Sequence, residues 1–158
     1  MKTIRRRRRE GKTDYQARLA LLKSEKPRMV VRKTNRYMIA QIVGAEVAQD
    51  KVIVGVSSKD LLGKGWPKGK EGSLKNRVAS YLTGYYIAKL ADKKRVKEAN
   101  LDIGLNRNIH KSRIYAVVKG AIDGGLKIPC NEKALPSEQE INKDGKVKEV
   151  INKIKKEL

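Results

Sequence analysis

Apolar positions divide the chain into short strands and helices. Met29, Val30 and Val31 fall in a β-rich run from Arg28 to Lys33, and Met38, Ile39, Ala40, Ile42 and Val43 fall in a second from Tyr37 to Val43. The polar link Thr34, Asn35 and Arg36 predicts a tight hairpin between them. Apolar residues occupy both parities of each run, so both faces of this ribbon are expected to be covered. A third run, Lys51 to Ser58, extends it to an antiparallel meander. Ahead of the ribbon, Tyr15, Leu19 and Leu22 recur at helical spacing in a segment that Thr13 or Asp14 can cap and Pro27 ends. After it, Ser73 is the expected cap of a long helix reaching Lys94, with an apolar stripe of Leu74, Val78, Tyr81, Leu82, Tyr85 and Ala88. Ala79, Ser80, Thr83 and Gly84 are small enough to let that helix lie close to a sheet.

A short buried strand is expected from Ala99 to Ile103, and a second helix from Ser112 to Gly124, where Gly124 and Gly125 stop it. Leu126 to Pro129 reads as a last edge strand, because a proline terminates pairing. Ser137 with Glu140 makes a capping box, Asp144 and Gly145 a turn, and Val147, Val150, Ile151, Ile154 and Leu158 a helical stripe. The order predicts an α/β fold: a mixed sheet with an antiparallel three-strand start and helices on its faces. It divides into a basic N-terminal arm and short helix (1–26), an α/β domain (27–130) and a C-terminal tail with an amphipathic helix (131–158).

Charge then changes the picture. The 158 residues carry a formal charge of +21 with 39 % apolar residues, no Phe and one Trp. Such a surface repels itself unless a polyanion neutralises it, and nucleic acid is the leading partner. No apolar run of about 18 residues accompanies the basic segments, which argues against a membrane. No apolar h-region of about 7–15 residues follows the N-terminal charge, and Cys130 is the single cysteine, so a cytoplasmic setting is expected.

The basic residues fall into groups. Arg5, Arg6, Arg7, Arg8, Arg9 and Lys12 form a block that cannot bury itself and is expected to stay extended or disordered until something neutralises it, with nucleic-acid contact favoured over a solvated tail or a nuclear-import address. Tyr15, followed by Arg18, either stacks on a base or serves a core or interface. Arg28, Arg32, Lys33, Asn35 and Arg36 are expected to gather at the turn end of the ribbon. Lys59, Lys64, Lys68 and Lys70 surround Trp66 in a glycine-rich loop, Lys59 to Gly72, whose tryptophan either stacks on a base or anchors the loop on the core. Lys75, Asn76 and Arg77 sit at a helix start, where amides favour phosphate. Arg107, Lys111 and Arg113 flank the second helix. For the lone charges of these later groups, RNA contact and a solvated surface are equally open. His110 has no second histidine or cysteine cluster beside it in sequence and reads as a loop residue. No cofactor or metal is expected.

Four stretches carry a resemblance: RRRRREGKTDYQAR, RMVVRKTNRYMIAQI, NRVASYLTGYYIAKL and KGAIDGGLKIP. In this order, from Arg5 to Pro129, they resemble the universal 5S-rRNA-binding protein family of the large ribosomal subunit, protein eighteen in bacteria and archaea and protein five in eukaryotes. The long N-terminal form and short tail are similar to the archaeal branch. The resemblance implies a ribonuclease-H-like sandwich that binds 5S rRNA and helps attach it in the central protuberance. The implied partners are 5S rRNA, 23S-type rRNA, the neighbouring 5S-binding ribosomal protein and other proteins of that region. A general RNA-binding or RNA-annealing chaperone is the alternative. A nuclease of similar shape needs carboxylates converging on strand ends around divalent metal. Asp50, Asp60 and Asp102 are too few and too surrounded by cations, so no enzymatic activity is expected.

Overall fold

A computed structural model describes residues 3–46, 49–67, 69, 71–141 and 152. Four strands form one mixed sheet: β1 (Arg28–Lys33), β2 (Met38–Glu46), β3 (Gln49–Ser57) and β4 (Asn100–Asp102), in the order β3-β2-β1-β4. The first three make the expected antiparallel meander, and β4 adds to the free edge of β1 in parallel. In the hairpin link, Thr34 Oγ1 accepts from the Tyr37 amide and donates to its carbonyl, both at 2.9 Å, so the side chain closes the turn.

Two helices, α3 (Arg77–Lys93) and α4 (Arg113–Asp123), share one face of the sheet with Met29, Val31, Met38, Ala40, Ile42, Val54 and Val56. The other face is covered less than expected: Val30, Ile39 and Gln41 are half-buried, and Val52 is 54 % exposed. Of the small residues of α3, Gly84 serves the neighbouring helix rather than the sheet. A Cβ on Gly84 would lie 1.9 Å from the Val117 carbonyl oxygen, and one on Gly120 would lie 1.9 Å from that of Tyr81. The two glycines therefore let α3 and α4 cross backbone to backbone.

Several boundaries differ from expectation for local reasons. Asp14 settles the cap of α2 (Tyr15–Lys23), accepting from the Gln16 and Ala17 amides. The cap of α3 is Asn76 rather than Ser73, its Oδ1 accepting from the Ala79 amide at 2.7 Å. Part of the expected loop is a 3-10 helix, Ser58–Lys64, started by a capping box of Ser57 and Asp60 and ended by Gly65 in the left-handed region. Leu126 to Pro129 makes only an isolated parallel bridge, Glu98 with Lys127. Arg6–Arg9 form one helical turn, α1, rather than an extended stretch, with Glu10 ion-paired to Arg6 and Lys12. The Ser137–Glu140 capping box is present and opens α5 (Glu138–Ile141). The turn and apolar stripe expected between Asp144 and Leu158 lie outside the described residues, as do Lys68 and Lys70.

Candidate nucleic-acid interface

The basic residues form two groups on the fold. The first lies at the hairpin end of the sheet. Lys33, Asn35 and Arg36 are exposed there. Lys75 Nζ donates to the Asn35 carbonyl at 3.3 Å, and Arg113 donates to the Lys75 carbonyl at 3.4 Å. These bonds join the hairpin tip to the starts of α3 and α4, so both helix N-termini, with their partial positive charge, face the same end as the cations. Ser112 caps α4 without a side-chain bond to its amides. Lys59 and Lys64 stand on the 3-10 helix of this end, which is tied to the ribbon by the bond from the Met38 amide to Ser58 Oγ. Lys111 is ion-paired with Glu140 at 2.9 Å. The Ser137 amide, then Lys111, hold the Glu140 carboxyl below its usual range.

The second group is the arm, which meets β1 and β4 along one cleft. Arg5 lies 4.7 Å from the centre of the Tyr15 ring, so the arm's own guanidinium covers one face of that tyrosine. Arg7 Nε donates to Thr13 Oγ1 at 2.8 Å. Arg18 reaches Asp50 at 2.9 Å. Arg8 and Arg9 are exposed. The loop after β4 carries exposed Arg107 from this cleft towards Lys111 and the other group.

Two candidate contacts need correcting. Arg28 is not at the turn end: it pairs with Val43 at the far end of the hairpin and is only 3 % exposed. Its guanidinium donates to Asp50 at 2.6 Å and Asp102 at 3.2 Å, and Asp102 also takes Arg32 at 3.0 Å. Arg28 therefore clamps strand to strand and is withdrawn from the surface. Trp66, 7 % exposed, packs with Leu61, Leu74, Tyr81, Leu82 and Ile141, with Tyr37 against them. It anchors the glycine-rich loop and cannot present its ring to a base. Asn76 spends its side-chain oxygen as a cap, whereas its neighbour Lys75 is the link between hairpin and helices.

The carboxylates named for a nuclease are committed elsewhere. Asp102 and Asp50 are held by arginines, and Asp60 accepts from the Ser57 amide at 2.8 Å. Among the described residues no three His, Cys, Asp or Glu side chains gather as a metal site.

Comparison with known proteins points to the large ribosomal subunit. The family model described as "Ribosomal large subunit proteins 60S L5, and 50S L18" matches residues 1–97 and 88–131. The large ribosomal subunit protein uL18 of Korarchaeum cryptofilum is 52 % identical over 136 residues, covering 86 % of this chain and 68 % of the relative. That of Methanoregula boonei is 48 % identical over 136 residues, 86 % of this chain and 76 % of the relative. That of Aeropyrum pernix is 44 % identical over 137 residues, 86 % of this chain and 62 % of the relative. With its sheet, its clustered cations and these matches, the chain belongs to the family of large-subunit ribosomal proteins that comprises 60S L5 and 50S L18, a structural rather than catalytic family.

Proposed function

We propose that the protein binds 5S rRNA and helps attach it to the large subunit in the central protuberance, in the cytoplasm, touching 23S-type rRNA and the neighbouring 5S-binding protein as well. The observation that supports this most is the bonding of the hairpin tip, through the Asn35 carbonyl, to Lys75 and of Lys75 to Arg113, which sets exposed Lys33 and Arg36 at an end where two helix N-termini converge. Fixed cations of this kind read the phosphate spacing of a folded RNA, while shape and unpaired bases supply specificity. The arm's Arg5–Arg9, Lys12 and Arg18 add a second grip, and Lys59, Lys64, Arg107 and Lys111 flank the two.

The test is competition between 5S rRNA and unrelated structured RNAs of equal length across a salt series. Preference for 5S rRNA, with affinity falling by about 0.7–0.9 in log-log slope per phosphate contact, is the expected result. Equal affinity for all the RNAs would instead establish a general chaperone.

A further inference from the structure

The cleft between the arm and the sheet has a volume of about 650 Å³, within the range of about 300–1,000 Å³ that small-molecule sites occupy. Ala17 and Leu21 of α2 line it from one side, and Leu101 and Ile103 from the other. Arg7 and Lys12 line it from the arm, and both are exposed. A slot with these apolar walls, in which arginines and Lys12 outnumber the lining carboxylates Asp14 and Asp102, suits a flat ring carrying a phosphate better than it suits a helix or a lipid.

The orientation of Arg32 makes the site specific. Its NH1 donates to the Asp102 and Val31 carbonyls, both at 2.9 Å, and its NH2 to Asp102 Oδ1 at 3.0 Å. A Cβ on Gly104 would lie 2.9 Å from Arg32 Cζ, so one face of the guanidinium rests directly on this glycine, whose φ of +59° also favours a residue without a side chain. The side chain nevertheless remains 41 % exposed. A guanidinium plane held at its edge and on one face leaves its other face as a rigid platform.

We infer that this cleft takes one unpaired nucleotide of the bound RNA, its base stacked on the free face of Arg32 between the apolar walls and its phosphate held by Arg7 and Lys12. The inference rests on the 5S rRNA reading above. Unstacked RNA bases are commonly received on arginine planes, and the clamp of Arg32 by Asp102 removes the ordering cost that a mobile arginine would carry.

The experiment uses the full chain and 5S rRNA carrying a single abasic substitution at each unpaired position in turn. Wild type should lose about tenfold in affinity at one position, the scale of a lost stacking contact. Arg32→Lys keeps the charge but not the plane; it should bind intact RNA about tenfold more weakly and show no further loss at that position. Ala17→Trp, which adds a bulky side chain at a lining position that makes none of the Arg32 bonds, should remove the same sensitivity. Specific binding of 5S rRNA that is indifferent to every base removal, or losses that simply add in the variants, would overturn the cleft while leaving the 5S reading intact. Equal binding of unrelated RNAs would overturn both.

Discussion

Replacing Asp102 with alanine strips a carboxylate that two arginines and the Gly104 amide share, at 3.2, 3.0 and 2.8 Å. Arg28, 3 % exposed, is left with Asp50 alone, and its Nε is already without a partner among the described protein groups. Removing one partner of a buried ion pair costs about 3–5 kcal/mol, mostly because the other charge is stranded. Asp50 still holds Arg28 at 2.6 Å, which places the loss near the low end, about 3 kcal/mol. At about 2–4 °C per kcal/mol for a chain of this size, the melting temperature should fall by about 6–12 °C. Thermal and urea unfolding followed by circular dichroism measure this directly. Glu98→Ala is the control, since its pair with Lys26 is exposed by about half on both sides and such pairs contribute about 0–1 kcal/mol. Equal losses for Asp102→Ala and Glu98→Ala would refute the view that Arg28 is a buried clamp.

Other consequences follow from single contacts. Gly84→Ala would place a Cβ 1.9 Å from the Val117 carbonyl oxygen and should cost about 3 kcal/mol or more by urea titration, whereas Gly63→Ala, with nothing within 4 Å of its Cβ, should change stability little. Burial, and then the Asp123 carboxylate to which its hydroxyl donates at 2.9 Å, raise the Tyr81 pKa above the usual value of about 10. The folded state therefore keeps a proton that the unfolded state loses, so this stabilisation is complete below pH of about 10 and declines as pH rises further. Tyr81→Phe should lose less stability than wild type between pH of about 9 and 11, and parallel curves would contradict the assignment. Removing residues 1–12 should weaken binding to 5S rRNA and lower the salt slope while leaving the melting temperature nearly unchanged, because α2 stays tied to the sheet through Arg18 and Asp50; a collapsed melting transition would show that the arm is structural.

The parts of the fold that were legible in the sequence are those written locally. The meander follows from three β-rich runs and a turn whose own Thr34 closes it, and α4 from a helical stripe ended by a glycine pair. The identity of each residue's partner was not legible where that partner is distant. Arg28 looked like a surface cation because the carboxylates that bury it lie 22 and 74 positions further on. Trp66 sat among glycines and lysines, and only the packing of Leu61, Leu74 and Ile141 around it shows that its loop is anchored from within. Gly84 read as a contact to the sheet because a helix pattern cannot say which neighbour it approaches. The basic hairpin tip was visible as charge, but its connection to both helix starts through Lys75 depends on tertiary contacts.

A crosslinking map of the protein within purified large subunits tests the central claim most directly. The account predicts crosslinks to 5S rRNA from the arm around Arg5–Arg9 and from Lys33, Arg36 and Lys75 at the hairpin end, with Trp66 and Arg28 silent. Crosslinks from both groups confined to other rRNA or to proteins, with none to 5S rRNA, would contradict it.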